Sequence, residues 1–233
     1  TIEAYMAAAE ATTEPEWLDR AEKMTAFAHK VASKNNWRIP EYYDEEWQPS
    51  LEAGKLCNDG RRYHEGYVTG HSMQLARFAL QVRAGLRSTG WAVPDYLMEL
   101  GTELFERARV DGWRRTDGAP GFSTAVNDEG EPMPGEDEHQ QWVVCEGVCA
   151  TVAVRRAMLD DGHRIDEVEH FEHCYRSFVD YIHDYLIAQP GRWIRRLGPH
   201  NESVQPAKSS RWDVYHAIQA MLAIRVPLWP PTA

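Results

Sequence analysis

Four cysteines, Cys57, Cys145, Cys149 and Cys174, are too few and too scattered across 233 residues to make the disulfide framework of a secreted module. Reduced thiols and a cytoplasmic location are the expectation. No run approaches the roughly 20 uninterrupted apolar residues that a membrane span requires, and the first residues lack a charged-then-apolar export signal. Positive charge is also in short supply. Against 36 Asp and Glu stand 25 Lys and Arg, a net charge of -11, with no long basic cluster, which argues against nucleic-acid and membrane partners. Nor does any segment alternate polar and apolar residues long enough to build a large sheet.

What the chain does have is helical periodicity. Apolar spacing predicts about seven helices, near 1–12, 15–33, 67–88, 94–111, 140–159, 165–187 and 212–226, within one domain spanning 1–233. Phe122 to Val126, followed by Asn127-Asp128-Glu129-Gly130, reads as a short hairpin within a loop, because Asn, Asp and Gly tolerate the positive φ of tight turns.

The helices are of two kinds. Segments 15–33 (Leu18, Ala21, Met24, Ala28, Val31), 94–111 (Leu97, Leu100, Leu104, Ala108) and 165–187 (Val168, Phe171, Cys174, Phe178, Ile182, Tyr185) carry one apolar stripe each, as outer helices with a wet face do. Segment 140–159 is apolar nearly all round and 67–88 has two stripes, so both are covered on more than one side; 1–12 and 212–226 are placed with them. Alternating inner and outer helices thread two concentric layers, an all-α (α/α) barrel. Inner-to-outer connections are short, whereas the outer-to-inner loops 34–66, 112–139 and 188–211 are long, and long loops commonly carry function. Each feeds the start of an inner helix, so all three should meet at one rim, where helix dipoles favour negative charge.

The chemically suggestive residues cluster at those same helix starts: His71; then Trp142 and Glu146; then Trp212, Asp213 and His216. Histidine, with an ordinary pKa near 6.5, both takes and returns a proton at neutral pH. Two imidazoles on opposite sides of a sugar suit exchange of its C2 proton, and donors such as indole N–H, Arg or helix N-termini suit the enediolate that forms. Nine Trp add a compositional hint, since sugar C–H faces pack on indole rings.

Gly70-His71-Ser72-Met73-Gln74-Leu75-Ala76-Arg77, the stretch from Gly121-Phe122 to Gly130, Trp142-Val143-Val144-Cys145-Glu146, Trp212-Asp213-Val214-Tyr215-His216-Ala217-Ile218-Gln219-Ala220, and Pro40 to Asp44 with Trp47 resemble, in order and spacing, motifs of the N-acylglucosamine 2-epimerase family. The likeness is greatest to its mannose and sulfoquinovose isomerase branch. That resemblance implies an (α/α)6 barrel and aldose–ketose isomerisation or C2 epimerisation of a small sugar through an enediolate, with no metal or other cofactor. It maps the acid/base pair onto His71 and His216, and a substrate-binding Arg onto the neighbourhood of Arg61. Gln74, Trp142, Glu146, Trp193 and Trp212 complete the expected substrate contacts. Two departures stand out. The family commonly has Glu-Trp at Gln74-Leu75, and glutamine neither carries negative charge nor transfers a proton. Of the family's roughly twelve barrel helices, the first five or so are expected to be missing here, leaving inner-helix apolar surface that either associates with another chain, such as a second copy in a homo-oligomer, or is buried by rearrangement.

Three other readings compete with this one. His170, His173 and His183 share helix spacing but lie among acidic residues on an outer helix, where a solvated face outweighs a metal site; Cys145 and Cys149 read as buried thiols. An (α/α)6 glycoside hydrolase or lyase would recruit carboxylates among Glu41, Asp44, Glu146 and Asp213. A non-catalytic sugar-binding fragment is the third.

Overall fold

The computed structural model describes residues 1–50, 66–116, 119–136, 138–204 and 213–230. Seven α-helices lie among them: α1 (Ile2–Thr12), α2 (Pro15–Ala32), α3 (Thr69–Ser88), α4 (Tyr96–Gly112), α5 (Gln141–Asp160), α6 (Glu169–Tyr181) and α7 (Val214–Ala223). None is long and apolar enough to cross a membrane.

Consecutive helices pair as hairpins, α1 with α2, α3 with α4 and α5 with α6, while α3, α5 and α7 pack side by side as an inner layer. The burial pattern follows the predicted division. On α2 the covered stripe is Leu18, Ala21, Thr25, Ala28 and Ala32, and on α4 it is Leu97, Leu100, Leu104, Phe105 and Ala108. Met24, expected in the α2 stripe, is exposed; Thr25 takes its place because its hydroxyl is satisfied by the Glu22 carbonyl and sits against the Tyr96 hydroxyl. Close contact between α3 and α4 depends on Gly101, where an added Cβ would lie 2.7 Å from Leu80 Cγ.

Two expectations need adjustment. Segment 165–187 is not one α-helix: a 3-10 turn (Ile165–Val168) precedes α6 and a π-helical turn (Ile182–Leu186) follows it, shortly before Pro190. The 122–130 hairpin divides. Phe122 ends a strand, Ala119–Phe122, that pairs with Trp113–Thr116, whereas Ala125–Val126 pairs with Tyr67–Val68. The turn itself forms, with Gly130 at φ 80° and the Asn127 side chain accepting from the amides of Glu129 and Glu131. The inner helix α7 has only Ala217 and Ala220 buried, while Val214, Tyr215, Ile218, Met221 and Leu222 are exposed. Its apolar face is covered on one side only, as expected of an arc rather than a closed ring.

The long loops do meet at one rim, and the pairing of their strands explains how. Tyr67–Val68 of the first loop pairs with Ala125–Val126 of the second, and His139–Gln140 of the second pairs with Arg196–Leu197 of the third. Buried Arg38 adds a further tie, binding Asp111 at 2.7 and 3.1 Å and the Asp128 carbonyl at 2.8 Å.

Candidate functional site

Each inner helix presents its first turn to the rim. His71 is the third residue of α3, and both oxygens of Glu41 lie within 2.9 Å of its Nδ1. Glu41 reaches it from the segment after α2, which Arg38 pins three residues earlier. His216 is the third residue of α7, and Asp213, the N-cap, holds it twice: its carboxylate accepts from the His216 amide at 3.3 Å and contacts Nδ1 at 2.8 and 2.9 Å.

Between them stands Trp142, the second residue of α5. Its ring centroid is 5.0 Å from that of His71 and 5.8 Å from that of His216, so the two imidazoles share one neighbour and can be no farther apart than those distances laid end to end. Gly70 makes room for the indole: a Cβ there would fall 2.4 Å from Trp142 Cζ3. The indole N–H is already committed to Gln140 Oε1 at 2.9 Å. Trp142 therefore offers its face and not the oxyanion donor that its type suggested.

One turn deeper lies Glu146, 1% exposed. It accepts from Gln74 Nε2 at 3.0 Å and from Arg77 Nε and Nη2 at 3.3 and 3.4 Å, and its Oε1 is 3.7 Å from His216 Nε2. A carboxylate so deeply buried requires a cation, and Arg77 supplies it. The same guanidinium bonds Gln81 Oε1 at 3.2 Å and stacks over Phe78; Gln219, its amide oxygen turned inward, accepts from Nη1 and Nη2 at 3.1 and 3.2 Å. Burial disfavours the charge on Arg77, yet Glu146 and its neighbours outweigh that and raise its pKa. Behind Arg77 opens a cavity of about 450 Å³, also lined by Glu3, Gln81, Tyr215 and Gln219. Neither imidazole lines it, so this cavity is a feature separate from the cluster at the rim.

The pKa of His71 is raised. Partial burial opposes its charge, but the hydrogen bond and charge of Glu41 and the charge of Glu146 win. Burial pushes the Cys145 thiol well up and that of Cys149 to about 12, which leaves both poor nucleophiles.

Sequence reasoning named His71, Gln74, Trp142, Glu146 and His216, and the fold brings these five together. Arg61 and Trp212 fall outside the described residues. Trp193 packs half-buried against the hydrophobic core from the Arg192–Trp193 strand, on the third long loop. Asp213 was noted at the start of its helix and Glu41 within a family-like motif, but the only role given to either was that of a hydrolase carboxylate, and Arg77 had no role. An Arg between the two apolar stripes of an inner helix, one turn from Gln74, was the signal for Arg77; nothing local links Glu41 to His71. Among the described residues no three His, Cys, Asp or Glu converge as metal ligands, and His170 and His183 pair with Glu106 and Asp184.

The chain is 31% identical over 236 aligned residues to a D-mannose isomerase of Pseudomonas cannabina pv. alisalensis, a match covering 100% of this chain and 54% of that protein. It superposes on a crystal structure of D-mannose isomerase with a TM-score of 0.77 at 22% identity, covering 96% of this chain and 54% of the other. For a cellobiose 2-epimerase from Spirochaeta thermophila DSM 6192 the TM-score is 0.68 at 13% identity, with 96% and 50% covered. These likenesses show the (α/α)6 barrel architecture, of which this chain spans about half the length of its relatives. With the N-acylglucosamine 2-epimerase model matching residues 1–220, the chain belongs to that family.

Proposed function

We propose that this chain carries the proton-transfer side of a sugar isomerase or epimerase that interconverts a mannose-type aldose with its ketose or C2 epimer. One imidazole takes the C2 proton while the other protonates the carbonyl oxygen; the C–H electron pair becomes the C1–C2 double bond of a cis-enediol. Reprotonation at C1, as the O2 hydroxyl gives its proton to the other imidazole, yields the ketose; reprotonation at the opposite face of C2, as O1 gives up its proton, yields the epimer. His71 and His216 take these roles, and Trp142 is the platform for the sugar ring. Gln74 and Glu146 bind hydroxyls, and Arg61, Trp193 and Trp212 are further substrate contacts. The observation that carries this reading is that both imidazoles rest on one indole while each has Nδ1 on a carboxylate.

The same geometry weakens the hydrolase alternative. Glu41 and Asp213 are engaged by the histidines, Glu146 by Gln74 and Arg77, and Asp44 accepts from the amides of Glu46 and Gln48. The test is incubation with mannose, glucose and fructose in D2O, followed by NMR. Deuterium entering at C2 is expected, with loss of exchange in His71→Ala and His216→Ala. Normal exchange in both variants removes the mechanism.

A further inference from the structure

The two imidazoles are held alike by different means. At His71 a carboxylate thirty residues distant in sequence meets Nδ1 with both oxygens, at 2.9 and 2.8 Å; at His216 the helix's own N-cap does so at 2.9 and 2.8 Å. A carboxylate only accepts hydrogen bonds, so the nitrogen it faces must carry the proton. Free neutral histidine in water favours the other form, with the proton on Nε2. The arrangement at both rings therefore opposes the intrinsic preference. In each case it leaves Nε2 as the nitrogen not held by the carboxylate, and at His216 that atom lies 3.7 Å from Glu146 Oε1, beyond hydrogen-bond range.

We propose that Glu41 and Asp213 are the positioning residues of the proton-transfer pair, each fixing its histidine as the Nδ1–H tautomer so that Nε2 is the atom that takes and returns the proton. This rests on the isomerase reading for the identity of the substrate, but not for the tautomers themselves. The proton count closes. A neutral imidazole receives the C2 proton at its bare Nε2, and an imidazolium gives its Nε2 proton to the carbonyl oxygen; the pair holds one proton in excess before and after. The raised pKa of His71 agrees with that ring starting as the imidazolium.

The two dyads also differ mechanically. Asp213 lies three residues from His216 on the same helix start, so it moves with its partner. Glu41 does not: its position depends on the loop that Arg38 ties to Asp111 and Asp128. The His71 dyad is accordingly the one that loop rearrangement would disconnect.

Long-range 1H–15N correlation spectra of the chain with 15N-labelled histidine, at a pH where both rings are neutral, read the tautomers directly without any sugar. Nδ1–H patterns are expected at His71 and His216. Glu41→Ala and Asp213→Ala should each return their own ring toward Nε2–H, whereas Glu41→Gln and Asp213→Asn, whose amide oxygens still accept, should keep Nδ1–H. The asparagine variant also preserves the N-cap, which guards against mere unravelling of α7. In the exchange assay the alanine variants should lose kcat by tenfold or more (~10-fold) with KM little changed, and the amides should recover part of it. An Nε2–H pattern at either ring in the unmodified chain, or unchanged tautomers in both alanine variants, overturns the assignment. Locked tautomers in a chain that exchanges no sugar proton uphold it and overturn the proton-transfer reading instead.

Discussion

Arg77→Met tests whether the buried charge pair under the rim holds the site together. Arg77 is 5% exposed and Glu146 1%. Methionine retains most of the aliphatic length over Phe78 and removes only the guanidinium, leaving Glu146 with Gln74 as its remaining hydrogen-bond donor. Stranding one partner of a buried pair costs about 3–5 kcal/mol. In a domain of this size each kcal/mol moves Tm by about 2–4 °C, so a drop of about 6–20 °C is expected. Thermal and urea unfolding followed by circular dichroism measure it at neutral pH. The reasoning carries a second requirement. Adding Glu146→Gln removes the stranded charge, so the double variant should be more stable than Arg77→Met alone, and the coupling should reach the 0.5–3 kcal/mol seen for residues in contact (about that range). A single variant melting within about 2 °C of the parent, or a double variant that loses the sum of the two single losses, would refute it.

Gly70→Ala pushes a methyl group into the Trp142 ring, and overpacking of this kind costs about 1–3 kcal/mol; tryptophan fluorescence should report the displaced indole and sugar exchange should fall, while parental values for both would show that the indole yields freely. NMR titration of His71 should give a midpoint above the ordinary 6.5, and Glu41→Gln should lower it. Because the folded value is raised, the stabilisation is complete below the unfolded pKa and is lost as pH rises through the folded one; a midpoint unmoved by Glu41→Gln contradicts the assigned cause. Arg38→Met removes the bidentate partner of buried Asp111, with Arg107 remaining at 3.5 Å, at a cost of about 1.5–3 kcal/mol, and frees the loop that carries Glu41, so it should lower both Tm and the His71 midpoint. A fall in Tm with an unchanged midpoint would mean that Glu41 is held by other contacts.

Periodicity was enough to place the helices and to sort inner from outer, because a helix covered on two sides has no wet stripe and one facing water must have one. Loop length then pointed to the rim, and residue type at the helix starts to His71, Trp142, Glu146 and His216. The α6 segment shows where that approach stops: the stripe runs unbroken from Val168 to Ile182 while the backbone passes through 3-10, α and π turns, since all three leave those side chains on the core side. The 122–130 hairpin shows another limit. Its turn was legible in Asn127 and Gly130, but its strands chose partners from other loops, which local chemistry does not specify.

The carboxylate partners of the two histidines divide along the same line. Asp213 sits in helical register with His216, so the chain alone determines that contact. Glu41 meets His71 only because α2, α4 and the second long loop are fastened through Arg38, Asp111 and Asp128. Likewise Arg77 shares a helix face with Gln74 and Gln81, yet its pairing with Glu146 on α5 arises from packing. Side-chain type and spacing determined which groups were able to carry a proton, and at His216 also which nitrogen the carboxylate holds; at His71 that choice, and the charge behind Glu146, were decided by tertiary contacts, because a hydrogen bond needs its partners about 3 Å apart and only packing brings distant segments that close.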